Sequence, residues 1–258
     1  MQSNNITQAF IFAAGRGERM RPITDSIPKP LVKILGKEII SYSLKKVNQI
    51  KTINKIIING FYLSEQIIEF IQKQNNKKII FSCEKEKIET GGGLVFAKNK
   101  INLNEPLLII NGDILWQENN ILQINKLWQK WLEITTENKD CEILLGLKPK
   151  DQYYGYEGDG DFVLSKDHKI NCKKDNKSHV YIGLAIINPK ILERKPNEKC
   201  FSLNYFFKEK ITNNGDIENI RGIELDAEFF HIGDVKSIKN SEDILLKLLH
   251  NENSPISA

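Results

Sequence analysis

Residues 10–31 read FIFAAGRGERMRPITDSIPKPL, and no other stretch limits the fold as tightly. Five apolar residues, Phe10 to Ala14, make the continuous run expected of a parallel strand buried on both faces. The run breaks into Gly15-Arg16-Gly17-Glu18-Arg19. Glycines there allow positive φ and bring bare N–H groups against a ligand. Arginines beside them grip phosphate oxygens in fork geometry. Lys29 stands between Pro28 and Pro30, and a residue before proline is pushed out of the α region, so Ile27 and Lys29 are expected to be extended. A strand, a glycine turn and fixed cations describe a polyphosphate loop. The dinucleotide pattern G-x-G-x-x-G fails at Met20, and the Walker pattern G-x-x-x-x-G-K-[ST] is absent.

Beyond the loop, strand-like and helix-like segments alternate, which predicts an α/β fold with a mainly parallel sheet. Residues 39–50 carry Ile39, Ile40, Leu44 and Val47 at helical spacing. Ile56–Ile58 reads as a strand, and Ser64 as the N-cap of a helix through Ile71. Residues 78–83 and 107–110 read as two more strands. Ligands in open α/β sheets bind outside the carboxyl ends of strands, so the loops after these four strands are the expected place for chemistry. Residues 114–140 form an amphipathic stretch containing Trp116, Ile124, Leu127, Trp128 and Trp131, read as helical core packing.

Two further motifs fall in those loops. Asn111-Gly112-Asp113 places a carboxylate at a strand end, with glycine permitting close approach, and suits Mg²⁺ beside phosphates. The same residues are also ordinary turn formers. Glu84 precedes Glu89-Thr90-Gly91-Gly92-Gly93, and three glycines near a helix start cost about 1 kcal/mol each relative to alanine. That cost implies close backbone approach, here expected from a flat ligand; a glycine hinge capped by Thr90 is the alternative. A Gly/Tyr/Asp loop, residues 153–162, offers aromatic faces and carboxylates to a sugar ring.

Residues 13–31 match every fixed position of A-A-G-x-G-x-R-[LM]-x-P-[LI]-T-x-x-x-P-K-P-L, so the chain resembles the sugar-1-phosphate nucleotidyltransferase family. The E-T-G-G-G form most resembles the N-acetylmuramate α-1-phosphate uridylyltransferases of cell-wall recycling. The resemblance implies a Rossmann-like open mixed sheet, mainly parallel, with helices on both faces and a small sugar-binding β lobe. It implies one domain over residues 8–250, with a nucleotide-binding half (8–140) and a sugar-phosphate half (141–250), between a flexible N-terminus (1–7) and a flexible tail (251–258). Arg19, Lys29 and Asp113 are then catalytic. Ala13, Ala14, Gly15, Arg16, Gly17, Glu84, Gly91, Gly92 and Asn111 bind nucleotide. Tyr154, Glu157, Gly183 (from Tyr181-Ile182-Gly183) and Asn204 face the sugar. The implied substrates are an NTP, UTP first, and a sugar 1-phosphate, N-acetylmuramate 1-phosphate first, with Mg²⁺ or Mn²⁺ as cofactor. Guanylyl transfer to mannose or heptose 1-phosphate, cytidylyl transfer to phosphocholine, and a regulatory nucleotide-sugar-binding protein are the alternatives.

The chain departs from the family near its end. Members read W-x-D-[VI]-G-T-P, with the Asp a second metal ligand, whereas Phe229 to Val235 puts His231 at that position. Either His231 ligates as neutral imidazole, or it packs and Asp234 substitutes.

Composition agrees with a compact enzyme: 258 residues, 40% hydrophobic, suffice for a sizeable core. No run approaches the roughly 20 apolar residues of a membrane helix. Four dispersed cysteines without C-x-x-C suggest neither zinc nor disulfides, hence a reduced cytoplasmic setting. The formal charge of +4 comes from scattered lysines, not a stripe, so no nucleic-acid partner is expected. Monomer and small homo-oligomer stay equally open.

Overall fold

The computed structural model describes residues 5–118, 122–137, 140–173 and 177–252. The strands are β1 (Gln8–Phe12), β2 (Lys33–Ile34), β3 (Lys37–Glu38), β4 (Lys55–Gly60), β5 (Ile79–Cys83), β6 (Leu107–Asn111), β7 (Ile114–Gln117), β8 (Ile143–Pro149), β9 (Val163–Leu164), β10 (Lys169–Asn171), β11 (His179–Ile187), β12 (Asp216–Glu224) and β13 (Glu228–His231). The helices are α1 (Ile39–Gln49), α2 (Ser64–Gln74), α3 (Glu89–Phe96), α4 (Gln123–Glu137), α5 (Asn204–Lys208) and α6 (Val235–Glu252).

A nine-stranded sheet in the order β5-β4-β1-β6-β11-β8-β12-β10-β9 spans the molecule. β5, β4, β1 and β6 are mutually parallel. β11 enters antiparallel between β6 and β8, β12 returns parallel to β8, and β10 opposes both β12 and β9. All strands but β10 and β11 thus run one way, the mixed and mostly parallel sheet expected. The strands of the second half extend the first half's sheet from β11 outward.

The continuous apolar runs follow from burial on both faces. Ala9 and Ile11 of β1 enter one core with α1, α2 and α4, while Phe10 and Phe12 enter a second core with α3 and α5. Ile56 and Ile58 against Ile57, and Leu108 and Ile110 against Leu107 and Ile109, divide the same way. Each such side chain removed from water contributes roughly 1.5–3 kcal/mol. A third cluster, with Met20, Ile34, Leu115, Phe230 and Leu245, underlies the signature loop.

Several local expectations are corrected. Trp116 lies on β7, paired with Phe229 of β13, and the helix begins only at Gln123. Ser64 opens α2 without capping it, because Leu63, in left-handed conformation, occupies the N-cap position. Of the N-terminal stretch 1–7, residues 1–4 lie outside the described residues, but Ile6 is buried in the core and Thr7 accepts the Asn54 N–H at 2.9 Å. Of the tail 251–258, residues 253–258 lie outside them, while α6 continues through Glu252. Among the described residues no helix is long and apolar enough to cross a membrane.

Candidate active site

The carboxyl ends of β1, β4, β5 and β6 converge, and a buried polar chain joins three of them. The Ala13 N–H donates to Asn59 Oδ1 at 2.7 Å, and Asn59 Nδ2 donates to Glu84 Oε1 at 2.6 Å. Glu84 is buried, which pushes its carboxyl up to about 7 although the Asn59 bond pulls it back. These residues back a cavity of about 300 Å³ lined also by Phe12, Ala14, Thr90 and Ser202.

The glycines of α3 are approached closely by the protein itself. Gly91 faces the Phe201 ring and Gly92 the Lys199 carbonyl, with no room for a Cβ at either. The Gly92 N–H donates to the Phe201 carbonyl at 3.0 Å. At Gly93 a Cβ would sit 2.7 Å from Glu84 Oε1. On the Cβ side of these glycines the close approach is made by segment 199–201 and by Glu84. Thr90 also ties that segment, accepting the Leu203 N–H at 2.8 Å.

In the signature loop the two glycines differ. Gly15 is open, and a Cβ there would meet nothing. Gly17 has φ 66°, and a Cβ would lie 2.8 Å from Lys29 Cβ and 2.9 Å from Thr24 Cγ2. The Thr24 hydroxyl donates to the Gly17 carbonyl at 2.8 Å, closing the loop on itself. Arg16 lies over the rings of Phe61 and Tyr62 at 5.7 and 5.8 Å. Exposed Arg19 shares a cavity of about 330 Å³ with Lys29, Lys87, Asp113 and Gly233.

Lys29 is not extended: it opens a single 3-10 turn, Lys29–Leu31, closed by Leu31 N–H to the Pro28 carbonyl at 2.8 Å. That bond outweighs the preference imposed by Pro30. The side chain is fixed by burial and by its ion pair, with Nζ donating to Asp113 Oδ2 at 2.6 Å. Gly112 permits this turn, because its N–H donates to the Phe12 carbonyl at 2.8 Å where a Cβ would collide.

His231 ends β13 beside this pair. Burial and then Lys29 lower its pKa, against the pull of Asp113, so the imidazole is neutral at pH 7. Tyr153 and Tyr156 meet it edge-on at 5.8 and 6.2 Å. Asp234, the other candidate ligand, caps α6 by accepting the Ser237 N–H at 2.8 Å. Among the described residues no three His, Cys, Asp or Glu side chains cluster as a metal site.

The four sugar candidates are dispersed. Gly183 (φ 82°) abuts Asn111, whose Nδ2 would lie 2.7 Å from a Cβ. Asn204 rims a separate cavity of about 290 Å³ beside β11. Glu157 is exposed on its loop. Tyr154 stacks on Phe230 at 5.0 Å in the third core cluster, and its neighbours Tyr153 and Tyr156 face the site instead. Asn59, Lys87 and Thr90 were not anticipated; Asn59 stood legibly at a strand end, whereas Lys87 is one cation among 37.

A model of the family described as nucleotidyl transferase matches residues 8–156. N-acetylmuramate alpha-1-phosphate uridylyltransferase of Neisseria meningitidis is 37% identical over 190 residues, 72% of this chain and 77% of that protein. The protein of the same name from Caulobacter vibrioides is 26% identical over 233 residues, covering 88% and 91%. The crystal structure of HddC from Yersinia pseudotuberculosis complexed with GMP-PN shares the fold, with TM-score 0.69 and 24% identity over 93% of this chain and 100% of that one. The chain belongs to the nucleotidyl transferase family and is a nucleotidyltransferase.

Proposed function

We propose that the protein transfers the uridylyl group of UTP to N-acetylmuramate 1-phosphate and releases pyrophosphate, in the cytoplasm and in the recycling of cell-wall sugars. The ion pair of buried Lys29 with half-exposed Asp113, beside the Gly15–Arg19 loop, carries the catalytic reading. The two uridylyltransferase relatives support the choice of substrates.

An acceptor phosphate oxygen bonds to the α-phosphorus in line, and the bond to the β-phosphate oxygen breaks with its electron pair leaving on pyrophosphate. No covalent enzyme intermediate is required, so catalysis is positioning and charge neutralisation. Backbone N–H groups around Gly15 and Gly17 hold the triphosphate. Arg19 faces the leaving pyrophosphate, and Lys29 bridges the attacking phosphate and the α-phosphate. Glu84, held by Asn59, faces the nucleobase edge.

Pyrophosphate release measured with UTP, CTP, GTP and dTTP against a panel of sugar 1-phosphates tests the reading. UTP with N-acetylmuramate 1-phosphate is expected to give the highest kcat/KM. Glu84 favours guanylyl transfer as the second reading, since a carboxylate suits the N1–H and N2–H donors of guanine; a GTP preference above tenfold would select it. Nucleotide binding without any pyrophosphate release would leave only a regulatory role.

A further inference from the structure

The cavity beside β11 is no part of the polyphosphate site, yet one strand connects them. Gly183 of β11 presses against Asn111, and Tyr181, two residues earlier and so about 7 Å along the strand, lines the cavity. Its volume of about 290 Å³ is bounded by Asp161, Phe162, Lys177, Tyr181, Phe207 and Lys208.

Two observations mark it as a binding site. The Tyr181 hydroxyl is buried and, among the described residues, has no hydrogen-bond partner. Buried hydroxyls are ordinarily paired, because leaving one unpaired forfeits its hydration. The walls are also amphiphilic. Phe162 and Phe207 are apolar, with Tyr181 meeting Phe207 edge-on at 5.9 Å. Lys177 and Lys208 supply two ammonium groups, and among the described residues neither lies within ion-pair distance of a carboxylate. Asp161 opposes them, but its Oδ2 is turned to the Tyr181 N–H at 2.9 Å. The cavity is left with one net positive charge beside apolar surface.

We propose that this cavity reads a carboxylate-bearing substituent of the acceptor, with Lys177 and Lys208 on the carboxylate, Tyr181 on a neighbouring polar atom and the phenylalanines on its apolar part. The inference rests on the acceptor reading above and assigns its specificity to particular residues. The lactyl ether of N-acetylmuramate has this chemistry, and N-acetylglucosamine 1-phosphate lacks only that group.

The test compares kcat/KM for these two acceptors, at saturating UTP, in the wild type, in the Lys177→Gln/Lys208→Gln double variant and in Tyr181→Phe. The ratio of acidic to neutral acceptor is expected to fall at least tenfold in the double variant, through KM and not kcat. Tyr181→Phe is expected to raise KM for the acidic acceptor at least threefold without lowering Tm. A double variant that keeps the wild-type ratio overturns the assignment, and so does a Tyr181→Phe variant with lower Tm and unchanged KM. A wild type active on the neutral acceptor alone, or on neither, overturns the acceptor reading itself and removes this inference with it.

Discussion

Lys29 and Arg19 reach the same cavity by different means, one buried and ion-paired, the other exposed. Lys29→Ala and Arg19→Ala should each lower kcat/KM at least about a hundredfold, roughly 2.7 kcal/mol of transition-state stabilisation, with circular dichroism unchanged. Near-normal turnover in either would remove its assigned role. At Glu84 the sign of the pH effect is fixed by burial. Its folded pKa of about 7 stands above the ordinary 4.5, so its stabilising contribution is complete below about pH 4.5 and is lost as pH rises through 7. A shift of that size corresponds to about 3 kcal/mol. Denaturant unfolding of Glu84→Gln at pH 4.5 and 8 should show a smaller difference than the wild type; an equal difference would place the titrating group elsewhere. His231 separates by metal dependence. His231→Ala should raise the Mg²⁺ concentration needed for half-maximal rate, while His231→Asp should retain activity and favour Mg²⁺ over Mn²⁺. Normal turnover of His231→Ala at limiting metal would make the imidazole a packing group, and Asp234 would be tested next despite its engagement at the cap of α6.

At the scale of elements, α3 is built to be approached. Gly91→Ala should destabilise by roughly 1–3 kcal/mol, because a methyl group must displace the Phe201 ring. Thermal unfolding measures it, and an unchanged Tm would mean segment 199–203 yields freely. This element shows where the sequence was readable and where it was not. That three glycines imply close contact is local backbone physics and could be read directly. The contacting chain lies more than a hundred residues away, and nothing local names it. The loop after β1 was readable in more detail, because glycines and prolines act on their own backbone. Even there Lys29 departs from the extended form, since the hydrogen bond closing its turn belongs to the folded chain. Trp116 failed for a related reason: its spacing continues the pattern of α4, but pairing with β13 makes it strand. Tyr154 and its two tyrosine neighbours look alike in sequence, and only the bridge to Phe230 decides which rings turn inward.

For the whole molecule, one sheet carries both candidate substrate regions, the nucleotide cavity at β1, β4 and β5 and the acceptor cavity at β11 and β12. The alternation of apolar runs was enough to foresee a parallel core, whereas the antiparallel entry of β11 depends on long-range pairing that no periodicity encodes. Ligand linkage gives a measurement at this scale. UTP with Mg²⁺ at about a hundred times its Kd should add roughly 2.7 kcal/mol to stability and raise Tm by at least about 5 °C, and no shift would mean the crevice does not take the nucleotide. The Lys29–Asp113 pair bears on which anions such a crevice admits. In the resting enzyme the central cation already has a counter-ion within the chain. A bare phosphate or sulfate that captures Lys29 must take the cation from Asp113 and leave that half-exposed carboxylate to water, so it gains less there than at an unpaired lysine. A polyphosphate chelated to a divalent cation would offer each half of the pair a new partner in the same event, and the exchange would leave neither charge unmatched.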